Sequence, residues 1–158
     1  MVGGLRPDLS GELAALYERE CEPMLRLAVL LVGSRSAAED VVHDAFSSVG
    51  PRLAELDRPG AYLRTTVVNG CRSVLRRREV EDRAVRSLPR RDLVEAPDRL
   101  TELRLALDRL TPRQRTVIVL RYFVDLPDDE IADVLDCEPA TVRSLAHRAM
   151  KVLREVLS

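Results

Sequence analysis

The chain has 158 residues, 46% of them apolar and 32% charged, with a formal net charge of -1; this suits one ordinary domain or two small ones and argues against disorder. No apolar run approaches the roughly 18 residues of a membrane span, and the opening MVGGLRPDLSGEL lacks the basic start and apolar stretch of a secretion signal, so a cytoplasmic protein is expected. Cys21, Cys71 and Cys137 are odd in number and scattered, which indicates neither a disulfide framework nor a zinc knuckle, and His43 and His147 add too little for a metal site.

In chain order, SGELAALYERECEPMLRLAVLLVG sets Leu13, Leu16, Leu27, Val29, Leu30 and Leu31 at helical spacing, with Ser10 as N-cap and Gly33 as stop. Pro23 is expected to separate or bend two helical pieces. Helical pattern resumes in SRSAAEDVVHDAFSSVGPRL, where Ser34 or Ser36 can cap and Val41, Val42, Ala45, Phe46 and Val49 form an apolar stripe. The other face of that helix shows Glu39, Asp40, His43 and Asp44.

After DRPGAY comes LRTTVVNGCRSVLRRR, in which Leu63, Val67, Val68, Cys71, Val74 and Leu75 can be buried while Arg64, Asn69, Arg72, Arg76 and Arg77 stay exposed. Residues 79–97 lose the periodicity and carry two prolines with charges of both signs, the composition of a linker. Leucines 100, 103, 105, 107 and 110 then predict a helix, Thr111 and Pro112 supply N-cap and N1 of the next, and Pro127, Asp128 and Asp129 begin another. No strand alternation competes anywhere. The expected fold is all-α: two small helical domains, 1–78 and 98–158, joined by a flexible linker over 79–97, the second containing a helix-turn-helix.

Charge is sorted by segment. Residues 69–91 carry 8 Arg against 3 acids and residues 139–158 carry 4 bases against one acid, so near-neutrality overall does not argue against a polyanion partner. Within DEIADVLDCEPATVRSLAHRAM, Ile131, Ala132, Val134 and Leu135 supply the buried side of a first helix, DCE the turn, and Pro139 the N1 residue of a second. Val142, Ala146, Ala149 and Leu153 form the seam of that second helix. Arg143, His147, Lys151 and Arg154 follow the same spacing on a different face with Ser144 and Arg148 beside them, while the supporting helix gathers Asp128, Asp129, Glu130, Asp133 and Asp136. Such sorting by element is what docking into a DNA groove requires. The other basic helix combines Asn69, Thr65 and Thr66 with Arg72 and Arg76 behind an Arg-Pro-Gly-Ala-Tyr loop, which suits a duplex or a separated strand with the loop receiving an extruded base.

Three blocks together resemble the extracytoplasmic-function (ECF) sigma factors, bacterial promoter-recognition subunits: LYERECEPMLRLAVLLVGSRSAAEDVVHDAF, then RPGAYLRTTVVNGCRSVLRRR, then LTPRQRTVIVLRYFVDLPDDEIADVLDCEPATVRSLAHRAMKVLREVL. The resemblance implies a region 2-like domain over 1–78 and a region 4-like domain over 98–158. It implies that Asp40, His43 and Asp44 bind the beta-prime clamp helices of core RNA polymerase. Arg58, Tyr62, Thr65, Asn69, Arg72 and Arg76 would read and open the minus-10 element, and Thr141, Arg143, Ser144, His147, Arg148 and Lys151 would read the minus-35 element. Further partners implied are the beta flap and an anti-sigma factor, the latter as the sole route to a membrane. No catalytic residue and no cofactor are implied, because the polymerase makes the bonds. Members of this family often have glycine where Asp136 stands, so a left-handed backbone is expected there, and Tyr62 and Ser73 occupy positions where many have Trp and Asp.

A dimeric helix-turn-helix regulator with a helical sensing domain explains residues 99–158 equally well but leaves Arg58 to Arg78 without a role. A helical enzyme is disfavoured, since neither paired metal-ligand spacing nor a nucleophile-base motif is present.

Overall fold

The computed structural model describes residues 11–85 and 98–157, and among these every regular element is helical. The chain divides into two compact units, Met1–Arg91 and Asp92–Ser158. The first holds α1 (Gly11–Val32), α2 (Arg35–Val49), a 3-10 turn over Gly50–Glu55, and α3 (Pro59–Val85). In the second are α4 (Asp98–Asp108), α5 (Pro112–Ile118) with a π-helical turn over Val119–Phe123, α6 (Asp128–Leu135) and α7 (Pro139–Leu157).

In the first unit each of the three long helices packs on the other two. Leu16, Leu27 and Leu31 of α1, Val42, Phe46 and Val49 of α2, and Leu63, Val67, Val68 and Cys71 of α3 are all buried. Each such side chain contributes roughly 1.5–3 kcal/mol relative to exposure, and these stripes therefore fix how the helices face one another. Tyr17 and Phe46 meet with ring centroids 5.0 Å apart. α2 and α3 approach so closely at Gly70 that a Cβ there would lie 2.8 Å from Cγ1 of Val41.

Local chemistry sets the boundaries. Gly33, at φ 72°, ends α1 in the left-handed conformation, and the Ser34 hydroxyl then caps α2 by accepting from the Ala37 N–H at 3.3 Å. Ser10, expected to cap α1, lies outside the described residues. α1 passes through Pro23 as one helix, so of the expected break or bend the break does not occur. Pro23 has no N–H to donate to the Arg19 carbonyl, and both residues are exposed. α3 runs on to Val85, into the stretch expected to be linker, because residues 79–85 contain neither glycine nor proline. Val74 and Leu75, expected in the core, are half-buried.

The second unit is organised around α7, against which α4, α5 and α6 pack. Thr111 and Gln114 close a reciprocal capping box at the start of α5, with bonds of 3.2 and 3.1 Å. Arg115 is buried, and its Nε donates to the Leu107 carbonyl at 3.0 Å and Nη2 to that of Leu110 at 3.3 Å. Its guanidinium thereby adds a second donor to the Leu107 carbonyl, which already accepts from the Leu110 N–H, and supplies one to Leu110 just past the end of α4. Leu107 and Leu110 are buried, while Leu105, expected to belong to the same apolar set, points outward at 47% exposure. Residues two apart on a helix face different sides, and Ala106 takes the inward place.

Candidate nucleic-acid interface

α6 and α7 form the helix-turn-helix. Ile131, Ala132 and Leu135 are buried, Val134 half so, and α6 ends at Asp136, whose φ of 51° and ψ of 54° are left-handed. The Cys137 N–H returns to the Ala132 carbonyl at 3.0 Å, and the Glu138 carbonyl accepts from Thr141 at 2.9 Å to start α7. Pro139 opens that helix, as its fixed φ favours.

The inward seam of α7 is Val142, Ala146, Ala149 and Leu153, all buried. Arg143, Ser144, His147, Arg148, Lys151 and Arg154 are exposed and Thr141 is half-buried. Thr141, Ser144, Arg148 and Lys151 follow one another by 3, 4 and 3 residues and so form one stripe, flanked by Arg143 and His147. At the start of α6, Asp128 sits 3.3 Å from the Arg121 guanidinium. α7 thus presents cations and hydroxyl donors on a helix whose opposite side is fully committed to packing.

In the first unit, Arg58 stands just before α3, and Tyr62, Thr65, Asn69, Arg72 and Arg76 follow at steps of 4, 3, 4, 3 and 4 residues. This periodicity brings all six candidates onto a single stripe. Arg58, Asn69 and Arg76 are exposed and the other three half-buried. The Thr65 and Thr66 hydroxyls donate to the carbonyls of Ala61 and Tyr62 at 3.1 and 2.9 Å, so their protons are committed to the helix and only lone pairs face outward. Tyr62 accepts a hydrogen bond from Nη1 of Arg52, whose guanidinium carbon lies 5.0 Å from the ring centroid. Beneath this stripe, burial pushes the Cys71 thiol up to about 12, against a smaller opposing pull from Arg78.

On α2, Asp40 and Asp44 are exposed and His43 is half-buried, on the side opposite Val41, Val42 and Ala45. Glu39 on this helix pairs with Arg35 at 3.0 Å. Sequence reasoning missed Arg52, Arg78 and Arg115 as determinants of geometry. Their carbonyl and ring partners lie 46, 10 or 5 to 8 residues away, and a periodic pattern of burial carries no trace of them.

Comparison with known proteins follows this division into two units. The family model described as Sigma-70, region 4 matches residues 100–153. The RNA polymerase sigma-E factor of Streptomyces coelicolor is 30% identical over 142 residues, covering 86% of this chain and 80% of that one. The probable ECF RNA polymerase sigma factor SigI of Mycobacterium tuberculosis is 32% identical over 150 residues, 84% of this chain and 51% of that one. Among solved structures, the sigma factor RpoE of Bartonella quintana, crystallised with the anti-sigma factor NepR, superposes with a TM-score of 0.81 at 21% identity, over 94% of this chain and 98% of that one. It shares the fold.

Proposed function

Because the chain belongs to the extracytoplasmic-function RNA polymerase sigma factors, we propose a division of labour between its two helical units in promoter-specific initiation of transcription. The protein acts as a sigma factor, binding core polymerase and directing it to promoters. The first unit carries core binding and minus-10 recognition with melting, and the second reads the minus-35 element. The observation that carries this reading is the presence, on one chain, of two separate outward stripes of Arg with Thr, Ser, Asn or His, one on α3 and one on α7.

On α7, Arg143, Ser144, His147 and Arg148 enter the major groove with Thr141 and Lys151 at its margins. Phosphate contacts hold register there, and each good base contact supplies roughly 1–3 kcal/mol of discrimination. On α3, Arg58, Tyr62, Thr65, Asn69, Arg72 and Arg76 track a separating strand, and a base captured by stacking or in the loop before the helix is removed from the duplex equilibrium. Asp40 and Asp44 of α2 offer carboxylates, and His43 an imidazole, to a basic surface of the beta-prime clamp helices, and the second unit meets the beta flap. The polymerase makes the phosphodiester bonds, and this chain supplies positioning alone. An anti-sigma protein that covers these faces would hold the factor inactive. Among the described residues no helix is long and apolar enough to cross a membrane, and the site of action is the cytoplasm.

The test is RNA synthesis in vitro by purified bacterial core polymerase on a pool of genomic promoter fragments, with and without the protein and with an Arg72→Ala, Arg76→Ala variant. Transcripts should start at discrete new sites only with the unaltered protein. If core polymerase ignores the protein while the free protein binds duplex DNA as a dimer, the minus-10 assignments are withdrawn in favour of a dimeric helix-turn-helix regulator.

A further inference from the structure

We propose that Arg52 is a positioning residue for Tyr62, holding its ring as a preset stacking platform for a base of the separated strand. The proposal rests on the minus-10 reading of α3 and adds to it a residue that lies outside the helix and its stripe.

Arg52 belongs to the 3-10 turn Gly50–Glu55, whereas Tyr62 is in the first turn of α3. Nη1 of Arg52 donates to the phenol oxygen, and the guanidinium carbon is 5.0 Å from the ring centroid. One side chain therefore engages the ring both at its polar tip and through its π system. The contact also closes the loop formed by residues 53–61, which is anchored inside by Leu53, buried at 8% exposure. At the two ends of this loop the Leu56 N–H bonds to the Leu53 carbonyl at 3.2 Å and the Tyr62 N–H to the Arg58 carbonyl at 3.1 Å. The Arg52 to Tyr62 contact joins these two turns, so loop and ring are held as one piece.

A half-buried tyrosine at a helix start has two side-chain torsions to order before it can receive a base. Ordering a mobile side chain on binding costs free energy, and a ring already held avoids that cost. The sequence-tolerant attraction of an aromatic face for a base is retained, since every base has a π face. A guanidinium carries five N–H donors and the phenol engages one, so an exposed Arg52 can also meet a passing phosphate. Whether Arg52 acts through the ring or on the strand itself is the point that an experiment must separate.

The measurement is the permanganate reactivity of unpaired thymines in open complexes formed by the holoenzyme on a promoter fragment recovered in the transcription assay above, with core affinity measured alongside. Arg52→Ala should lower the open fraction on the order of fivefold with core affinity unchanged, and Arg52→Gln should do likewise. Tyr62→Ala should lower it at least as much, and the double variant should be no worse than Tyr62→Ala alone. Tyr62→Phe, which keeps the ring and removes the acceptor, should fall between. Independent, multiplying losses in the double variant, or an unchanged open fraction in Arg52→Ala, would overturn the proposal. A transcription assay that yields no start site dependent on the protein would instead sink the reading of α3, a result distinguishable from either.

Discussion

Nη1 of Arg78 donates to the carbonyl oxygen of Val32 at 2.6 Å, so the last turn of α1 is closed by a side chain 46 residues further along. Arg78 is therefore unlike its neighbours Arg76 and Arg77, which are exposed. Arg78→Ala should destabilise the protein by about 1–2 kcal/mol, the loss of a charged donor to a helix-end carbonyl. Arg77→Ala should stay within about 0.5 kcal/mol. Urea unfolding of the two variants decides, and equal midpoints would remove Arg78 from the structural frame.

Gly70→Ala should be destabilising despite alanine's better helix propensity. The added Cβ would meet Val41 Cγ1 at 2.8 Å, and overpacking costs about 1–3 kcal/mol against a propensity gain of about 1 kcal/mol. Adding Val41→Ala should cost less in the Gly70→Ala background than in the wild type. A double-mutant cycle in chemical denaturation reads that coupling.

Asp136→Gly should stabilise the second unit by about 0.5–1 kcal/mol, because a residue with a Cβ holds the left-handed conformation at the end of α6. The urea midpoint should rise with an unchanged slope. A fall would mean that the Asp136 carboxylate contributes more than its backbone costs.

Stability should decline above pH 9. The Cys71 thiol, ordinarily near 9.0, is pushed up to about 12 by burial. Above its ordinary value the unfolded chain releases this proton while the folded chain holds it, so folding weakens with rising pH, by about 1.4 kcal/mol per unit until the folded value is passed. Tyr17, raised from 10.0 to about 12 by a hydrogen bond with Cys21, acts in the same direction from pH 10. Cys71→Ala should show a shallower decline between pH 9 and 10 in thermal unfolding, and an identical decline would contradict the assignment.

On α7, Arg143→Ala should cost about 1–3 kcal/mol at the matched sequence and relax preference at one base position. Lys151→Ala should instead weaken all sequences alike and reduce the salt dependence by about one unit of slope. Holoenzyme binding to a panel of minus-35 variants at several salt concentrations separates the two. Equal behaviour would mean that neither residue reads a base.

The buried seams of α3 and α7 were legible because Leu63, Val67 and Cys71, or Val142, Ala146 and Ala149, recur with the helical period and are apolar. Chain-local chemistry was legible as well, in the Thr111 and Pro112 start and the Gly33 stop, whereas the left-handed Asp136 was expected only from the glycine that family members often have there. What escaped depends on partners far along the chain. Nothing distinguishes Arg78 from Arg77 until the Val32 carbonyl is brought beside it, and Arg115 reads as one more surface base until α4 ends over it. The continuity of α1 through Pro23 escaped for another reason: the local rule is right about the lost bond, but the apolar stripe on either side of Pro23, with Leu16, Leu27 and Leu31 buried, holds one helix together.

Lys151 is the one lysine among 158 residues and stands exposed on α7. The protein therefore has a single side-chain amine, and it lies at the margin of the proposed DNA-reading surface. An amine-directed dye would find no other side chain to label, so its rate of reaction at Lys151 becomes a direct gauge of whether the groove is occupied.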